Sequence, residues 1–269
     1  MKRRKWTREQ FREKSRRGMY IIPSLFTVSN IFCGFYSVSS AIQGNFERAG
    51  LLIGIAMILD TLDGRIARMT HTSSDFGVQL DSLADVITFG VAPAVLCYQW
   101  AFYLYENRLI DRAGWIGCFL FVICGACRLA RFNVQTTGHP DKRYFTGMPI
   151  PAAAGFVAAT IYRFPERVAG EFWAFLAMAV MLLLAFLMVS RIRYRTFKDL
   201  NLRQPRSYRT IVIIALILGF VAFDLKNALI TLASLYAISG VIGTIFRRKP
   251  KPEAPEPATE PPPLPLNPS

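Results

Sequence analysis

The sequence predicts an all-α fold: a polytopic transmembrane helix bundle of about eight spans, preceded by an N-terminal surface amphipathic helix. Three observations carry that prediction. Apolar runs of about 20 residues, each long enough to cross a hydrocarbon core of ~30 Å as a helix, recur from Tyr20 to Phe246. The chain is 52% hydrophobic over 269 residues, with 13% aromatics; a large soluble domain could share that composition, but its core would not repeat the run length. The residues behind a formal charge of +14 lie in clusters between the runs and at the two ends. That placement matches the positive-inside pattern of membrane proteins, so no nucleic-acid partner is expected.

Taken in chain order, residues 1–19 form a cytoplasmic basic segment in which Lys and Arg alternate with Trp6 and Phe11. A surface-lying amphipathic helix and a solvated tail drawn to anionic membrane lipids both fit it. Helices are expected near 20–42, 48–69, 82–105, 113–131, 149–162, 172–190, 210–223 and 227–246. The connecting loops test that parsing, because alternate loops should differ in Lys and Arg. One side collects the 2–5 cluster, Arg65 and Arg68, the basic residues of 131–143 and 191–209, and Arg247, Arg248 and Lys249; the other holds scattered charges such as Arg48, Arg108, Arg112, Arg163, Arg167 and Lys226. The richer side is read as cytoplasmic, which places both termini there in a multi-pass protein of the cytoplasmic (inner) membrane. Residues 20–246 constitute one membrane domain without an internal repeat, and the segment 191–209 is read as a basic connector. From 247 to 269 the Pro-rich sequence reads as a disordered cytoplasmic tail. No cleavable signal peptide is expected, since the first 17 residues are too charged. Cys33, Cys97, Cys118, Cys124 and Cys127 all fall in apolar runs. They read as packing residues, the Cys124-x-x-Cys127 spacing included, because a second pair and a thioredoxin-like strand are both missing.

Chemistry concentrates where the second run ends. Asp60, Asp63, Gly64 and Ala67 follow i, i+3, i+4, i+7 spacing and share a helix face; beyond a short link through Gly77, Asp81 and Asp85 share a face of the next helix. If these faces oppose each other, four carboxylates meet just inside the cytoplasmic boundary. Their repulsion and desolvation call for cations among them. All-oxygen donors favour Mg²⁺ or Mn²⁺, with Ca²⁺ also compatible, and two such ions bridged by carboxylates recur in displacement at phosphorus. His71 is close in sequence but reads as a loop residue. Gly64 and Ala67 leave room for an extended group beside the helix, a nucleotide among them, and Arg68 is placed either to hold a phosphate oxygen or to anchor the helix end.

The complete run Asp60-x2-Asp63-Gly64-x2-Ala67-Arg68-x8-Gly77-x3-Asp81-x3-Asp85 resembles the signature of the CDP-alcohol phosphatidyltransferase family at every specified position. Four further runs resemble the membrane-embedded, serine-using branch of that family: Pro23-Ser-Leu-Phe-Thr27-x2-Asn30-x3-Gly34, Asp81-Ser-Leu-Ala-Asp85-Val-Ile-Thr-Phe-Gly-Val-Ala-Pro93-Ala, Cys127-Arg-Leu-Ala-Arg-Phe-Asn133, and Gly147-Met-Pro-Ile-Pro-Ala-Ala-Ala-Gly155. The likeness covers most of residues 20–155; the later helices share only hydropathy. The resemblance implies transfer of a phosphatidyl group from CDP-diacylglycerol to the hydroxyl of L-serine, with release of CMP, and a homodimer. It further implies that Asp60, Asp63, Asp81 and Asp85 hold two divalent cations and that Asp85 is the base.

Thr27 and Asn30, one turn apart on the first span, could serve the cytidine or could hydrogen-bond between helices. With Asp63, Gly64, Ala67, Arg68 and Gly77 they make up the expected nucleotide-binding set. Serine brings a carboxylate, for which Arg128 and Arg131 are candidates with Asn133 beside them; anchoring of the helix end and lipid-phosphate binding are the alternatives. Another acceptor, glycerol 3-phosphate or inositol phosphate, would suit the same signature. An ion-coupled transporter would also bury acidic residues, but its site would lie near the midplane between repeats.

Overall fold

The computed structural model describes residues 8–70, 75–103, 105, 108–136, 144–190, 192–195 and 208–245. The described chain is helical except for one short ribbon. In order it runs α1 (Arg8–Ile42), α2 (Phe46–Thr70), α3 (Asp75–Asp85), a π-helical turn (Val86–Val91), α4 (Ala92–Ala101), α5 (Arg108–Thr136), β1 (Tyr144–Thr146), α6 (Ile150–Arg163), α7 (Glu171–Val189), β2 (Arg193–Arg195), α8 (Tyr208–Phe223) and α9 (Leu225–Ile245).

α1 and α2 form the most extensive helix pair, and a turn of defined geometry sets their register. Gly44 has a φ of 79°, a conformation that costs a residue without a Cβ little. Its N–H donates to the Ala41 carbonyl at 3.0 Å, and the Asn45 N–H donates to the Ser40 carbonyl at 2.9 Å. These two bonds are those of a Schellman cap, which satisfies carbonyls at the end of α1 and turns the chain back into α2. Lower in the pair, the Ser37 hydroxyl donates to the Ala49 carbonyl at 2.9 Å. This antiparallel hairpin brings the middle of α1, at Thr27, beside Asp63 near the C-terminal end of α2.

The core lies among α2, the π turn and α4–α7. Ile53, Phe89, Leu96, Phe102, Ile110, Phe121, Met148, Ile150, Ile161, Met181 and Met188 are essentially inaccessible there. Large apolar side chains also cover the outside, among them Phe32, Phe35, Phe119, Phe172, Phe186 and Leu216. Such a surface suits contact with hydrocarbon, where every main-chain polar group must be satisfied within the helices. Among the described residues, four segments are long and apolar enough to cross a membrane: Leu25–Ile42, Phe76–Ala101, Arg108–Val134 and Glu171–Val189. α2 carries Asp60, Asp63, Arg65 and Arg68 in its closing turns, and α6 is 14 residues long, so the eight-span expectation exceeds what length and composition alone support.

The segment expected as one helix over 82–105 contains two α-helices joined by a π turn. A second difference is the ribbon, where β1 pairs antiparallel with β2 in the register Tyr144↔Arg195, Phe145↔Tyr194 and Thr146↔Arg193. The two three-residue strands leave the all-α class intact, and neither was expected from the sequence. Strands this short carry no alternation to read, and their pairing joins segments that follow different helices. Gly147, with a φ of 83°, ties the ribbon to the bundle: its N–H donates to the Ile192 carbonyl at 2.8 Å, and the Met148 N–H donates to the Leu187 carbonyl at 3.0 Å. α6 starts immediately afterwards, capped at Pro149.

The N-terminal cluster at 2–5 with Trp6, His71, and the tail from 247 to 269 lie outside the described residues. Residues 8–19 belong to the same helix as the first apolar run. All five cysteines are free thiols; Cys33, Cys97 and Cys118 are buried as packing residues, Cys124 is half-buried, and Cys127, expected to pack, is exposed.

Candidate active site

The end of α2 presents Asp60 and Asp63 one turn apart on the face turned toward α1 and α3. Asp63 is 4% exposed. The Thr27 hydroxyl, itself buried on α1, donates to Asp63 Oδ2 at 3.0 Å. A hydrogen bond from a buried hydroxyl fixes the orientation of that carboxylate. Asp81 comes from α3, and the carboxylate oxygens of Asp60, Asp63 and Asp81 lie within 4.8 Å of one another.

Asp85, one helical turn beyond Asp81, stands beside this trio and outside the 4.8 Å set. It lies within the electrostatic reach of Asp60, Asp81 and Asp63, with Arg128 opposing them. Asp81 Oδ1 and Asp85 Oδ1 are both shielded from solvent and accept no hydrogen bond. Buried carboxylate oxygens of this kind carry a desolvation cost that only a proton, a donor or a cation offsets. Three converging hard-oxygen donors, with unpartnered buried oxygens on Asp81 and on the adjacent Asp85, therefore suit a divalent cation of the Mg²⁺ or Mn²⁺ type.

Arg128 projects inward from α5. It is 9% exposed, its guanidinium stands 5.6 Å from the centroid of the Phe132 ring, and it interacts electrostatically with Asp85 and with Tyr236 of α9. Arg131 is exposed, so two arginines spaced i, i+3 have different surroundings. Asn133 reaches back to the aspartate helix, where its Nδ2 donates to Ser82 Oγ at 2.9 Å. Asn30 on α1 is fully buried, and neither its amide nitrogen nor its amide oxygen has a hydrogen-bond partner. An amide so placed is a ready donor and acceptor for a polar ligand. Gly64 and Gly77 are half-buried. The side chains of Ala67 and Arg68 lie outside those described.

Two contributors were not singled out from the sequence. Tyr236 sits in α9, beyond every motif, and no local signal marks it. Thr88 lies within a motif-like run, but only the packing of α1 explains it: its hydroxyl donates to the Asn30 carbonyl at 3.1 Å. The assembled site is a polar cluster at one end of the bundle, with a carboxylate trio, a fourth carboxylate next to it, a buried arginine and a buried free amide. It can hold cations, accept a proton and bind an anionic group.

Residues 20–190 match the family model for CDP-alcohol phosphatidyltransferase. A CDP-diacylglycerol–serine O-phosphatidyltransferase from Helicobacter pylori (strain ATCC 700392 / 26695) is 40% identical over 233 residues, covering 85% of this chain and 92% of the relative. The Bacillus subtilis (strain 168) protein of the same name is 35% identical over 180 residues, covering 67% of this chain and 93% of the relative. An archaetidylserine synthase from Methanothermobacter thermautotrophicus is 39% identical over 176 residues, which is 64% of this chain and 69% of that protein.

Proposed function

Because the chain belongs to the CDP-alcohol phosphatidyltransferase family, we propose that it transfers the phosphatidyl group of CDP-diacylglycerol to the hydroxyl of L-serine, giving phosphatidylserine and CMP. The observation that carries this reading is the convergence of Asp60, Asp63 and Asp81 with Asp85 alongside, in a chain resembling serine-using relatives over most of its length.

In this reading Asp60, Asp63 and Asp81 hold two divalent cations with help from Asp85, and the ions supply charge neutralisation to the pyrophosphate. Asp85 accepts the proton of the serine hydroxyl as its oxygen attacks the lipid-linked phosphorus. One P–O bond forms to serine, one breaks to CMP, and the electron pair leaves with CMP. Asn30 and Thr27, with Gly64, Ala67, Arg68 and Gly77, form the nucleotide side of the pocket. Arg128 binds the serine carboxylate, its buried guanidinium offering paired donors; Arg131, exposed, is assigned to the phosphate-rich membrane surface. Asn133 holds α3 through Ser82.

The domain layout follows the same reading: a basic segment at 1–19 on the membrane surface, a membrane domain over 20–246 with about eight crossing elements, and a tail at 247–269. The site and both termini face the cytoplasm, as the basic loops on that side favour.

The experiment is a comparison of acceptors. Purified protein in mixed micelles containing CDP-diacylglycerol and Mn²⁺ is given radiolabelled serine, glycerol 3-phosphate or inositol phosphate, and lipid-phase label and CMP are counted. Serine alone should support both. Release of CMP with either other acceptor, and none with serine, overturns the serine assignment.

A further inference from the structure

Two residues of the motif-like runs have no part in the transfer described above, yet they touch. A Cβ added to Gly34 would lie 2.6 Å from Thr88 Oγ1 and 2.9 Å from its Cα. Only glycine lets α1 approach the π turn Val86–Val91 this closely. Thr88 is fully buried, and its hydroxyl reaches past Gly34's turn to the Asn30 carbonyl at 3.1 Å.

Thr88 sits inside the π turn Val86–Val91, which starts one residue after Asp85. The turn closes with the Ala92 N–H donating to the Ile87 carbonyl, five residues back. A π turn contains one residue more than the α-helical turn it replaces, and each residue advances a helix by about 100°. On an uninterrupted α-helix Asp85, Ala92 and Leu96, at i, i+7 and i+11, would share one face. Ala92 and Leu96 are fully buried in the apolar core. The extra residue breaks that alignment and rotates the aspartate-bearing stripe of α3 by about 100° relative to α4, the rotation at which Asp81 meets Asp60 and Asp63 of α2.

We infer that Thr88, seated against Gly34 within the π turn, is a positioning residue that sets the rotation of α3 and thereby holds Asp81 and Asp85 at the site. The inference rests on the reading of those aspartates as transfer residues. π turns inside α-helices are frequent at functional sites, and misplacement of reacting groups by about 1 Å can lower a rate by about 100-fold.

The test uses the purified full-length protein with Thr88→Val, Thr88→Ser, Gly34→Ala and a deletion of Ile87, a partly lipid-facing residue whose loss closes the π turn to α. Three quantities are read: kcat for CMP release, KM for CDP-diacylglycerol, and the shift in Tm on adding Mn²⁺ without substrate. The deletion should lower kcat about 100-fold and abolish the Mn²⁺ shift. Thr88→Val should lower kcat about tenfold at unchanged KM and shrink the Mn²⁺ shift, with Thr88→Ser restoring both. If the deletion variant does not fold, the Thr88 pair decides. Wild-type kcat and a wild-type Mn²⁺ shift in Thr88→Val overturn the inference, as does a loss equally large in Thr88→Ser. Should the unaltered protein release no CMP with any acceptor, the transferase reading fails by itself, and the Mn²⁺ shifts still report on the rotation of α3.

Discussion

The two ends of the bundle use polar residues in opposite ways. At the end away from the site, polar side chains close on each other. Lys226 pairs with Glu47 at 2.6 Å, linking α9 to α2. Asn227 donates from its main-chain N–H to Asp224 Oδ1 at 3.1 Å and from Nδ2 to Oδ2 at 2.6 Å, while its Oδ1 accepts from Arg163 Nε at 2.7 Å. The Trp100 indole N–H donates to the Phe164 and Glu166 carbonyls, and the Tyr98 hydroxyl donates to Asp111 at 2.6 Å. At the site end, Asp81, Asp85 and Asn30 keep buried atoms without a partner, and three carboxylates crowd together. One end therefore uses polarity to clamp helices; the other keeps it in reserve for ligands, at a cost in stability. That difference is the trade expected between a stable scaffold and a working site.

The largest effect expected from breaking the comparison is at Asp85. Asp85→Asn should lower CMP release by about 10²- to 10⁴-fold, the range of general-base contributions, with Tm unchanged or raised in metal-free buffer. A measured rate within tenfold of the parent would remove Asp85 as the base. Next is Asp81→Asn, which relieves repulsion in the trio: metal-free Tm should rise, and the stabilisation by Mn²⁺ should fall. A lowered metal-free Tm would mean that the trio is no electrostatic burden.

At the opposite end the signs reverse. Asn227→Ala removes the bridge between Asp224 and Arg163 and should lower Tm, with kcat near that of the parent. Hydrogen bonds from Asn227 hold the Asp224 carboxyl below its ordinary range. Stability from a lowered carboxyl pKa is complete above the unfolded value of ~3.9 and is lost as pH falls through the folded one. The Tm deficit of Asn227→Ala should accordingly shrink in acid below about pH 4. The smallest effect is expected for Lys226→Ala, since a partly exposed ion pair contributes about 0–1 kcal/mol; a larger loss of Tm would make that pair a main tie between α9 and α2.

Much of the fold was legible because helix faces and apolar run lengths are local. The expected helices over 149–162, 172–190 and 210–223 correspond to α6, α7 and α8 within one or two residues at each end. The aspartates were legible for the same reason, since i, i+3 and i, i+4 spacing places them on common faces before any partner is known. The fates of Arg128 and Arg131 were not. Residues three apart on a helix lie about 60° from each other, and at the rim of a bundle that angle separates a buried side chain from an exposed one. Only the position of α3 and α9 makes Arg128 the inward member.

The sequence by itself determined which residues share a helix and a face, because helical pitch is set by hydrogen bonds between neighbouring residues. It therefore determined that Asp60 and Asp63, and Asp81 and Asp85, would each act as a pair. The tertiary structure alone decided how those pairs meet. Close contact between Gly34 and Thr88, the extra residue of the π turn, and the pairing of two three-residue strands each depend on surfaces brought together from distant parts of the chain. In close-packed interiors such contacts select among rotations that the local pattern leaves equivalent.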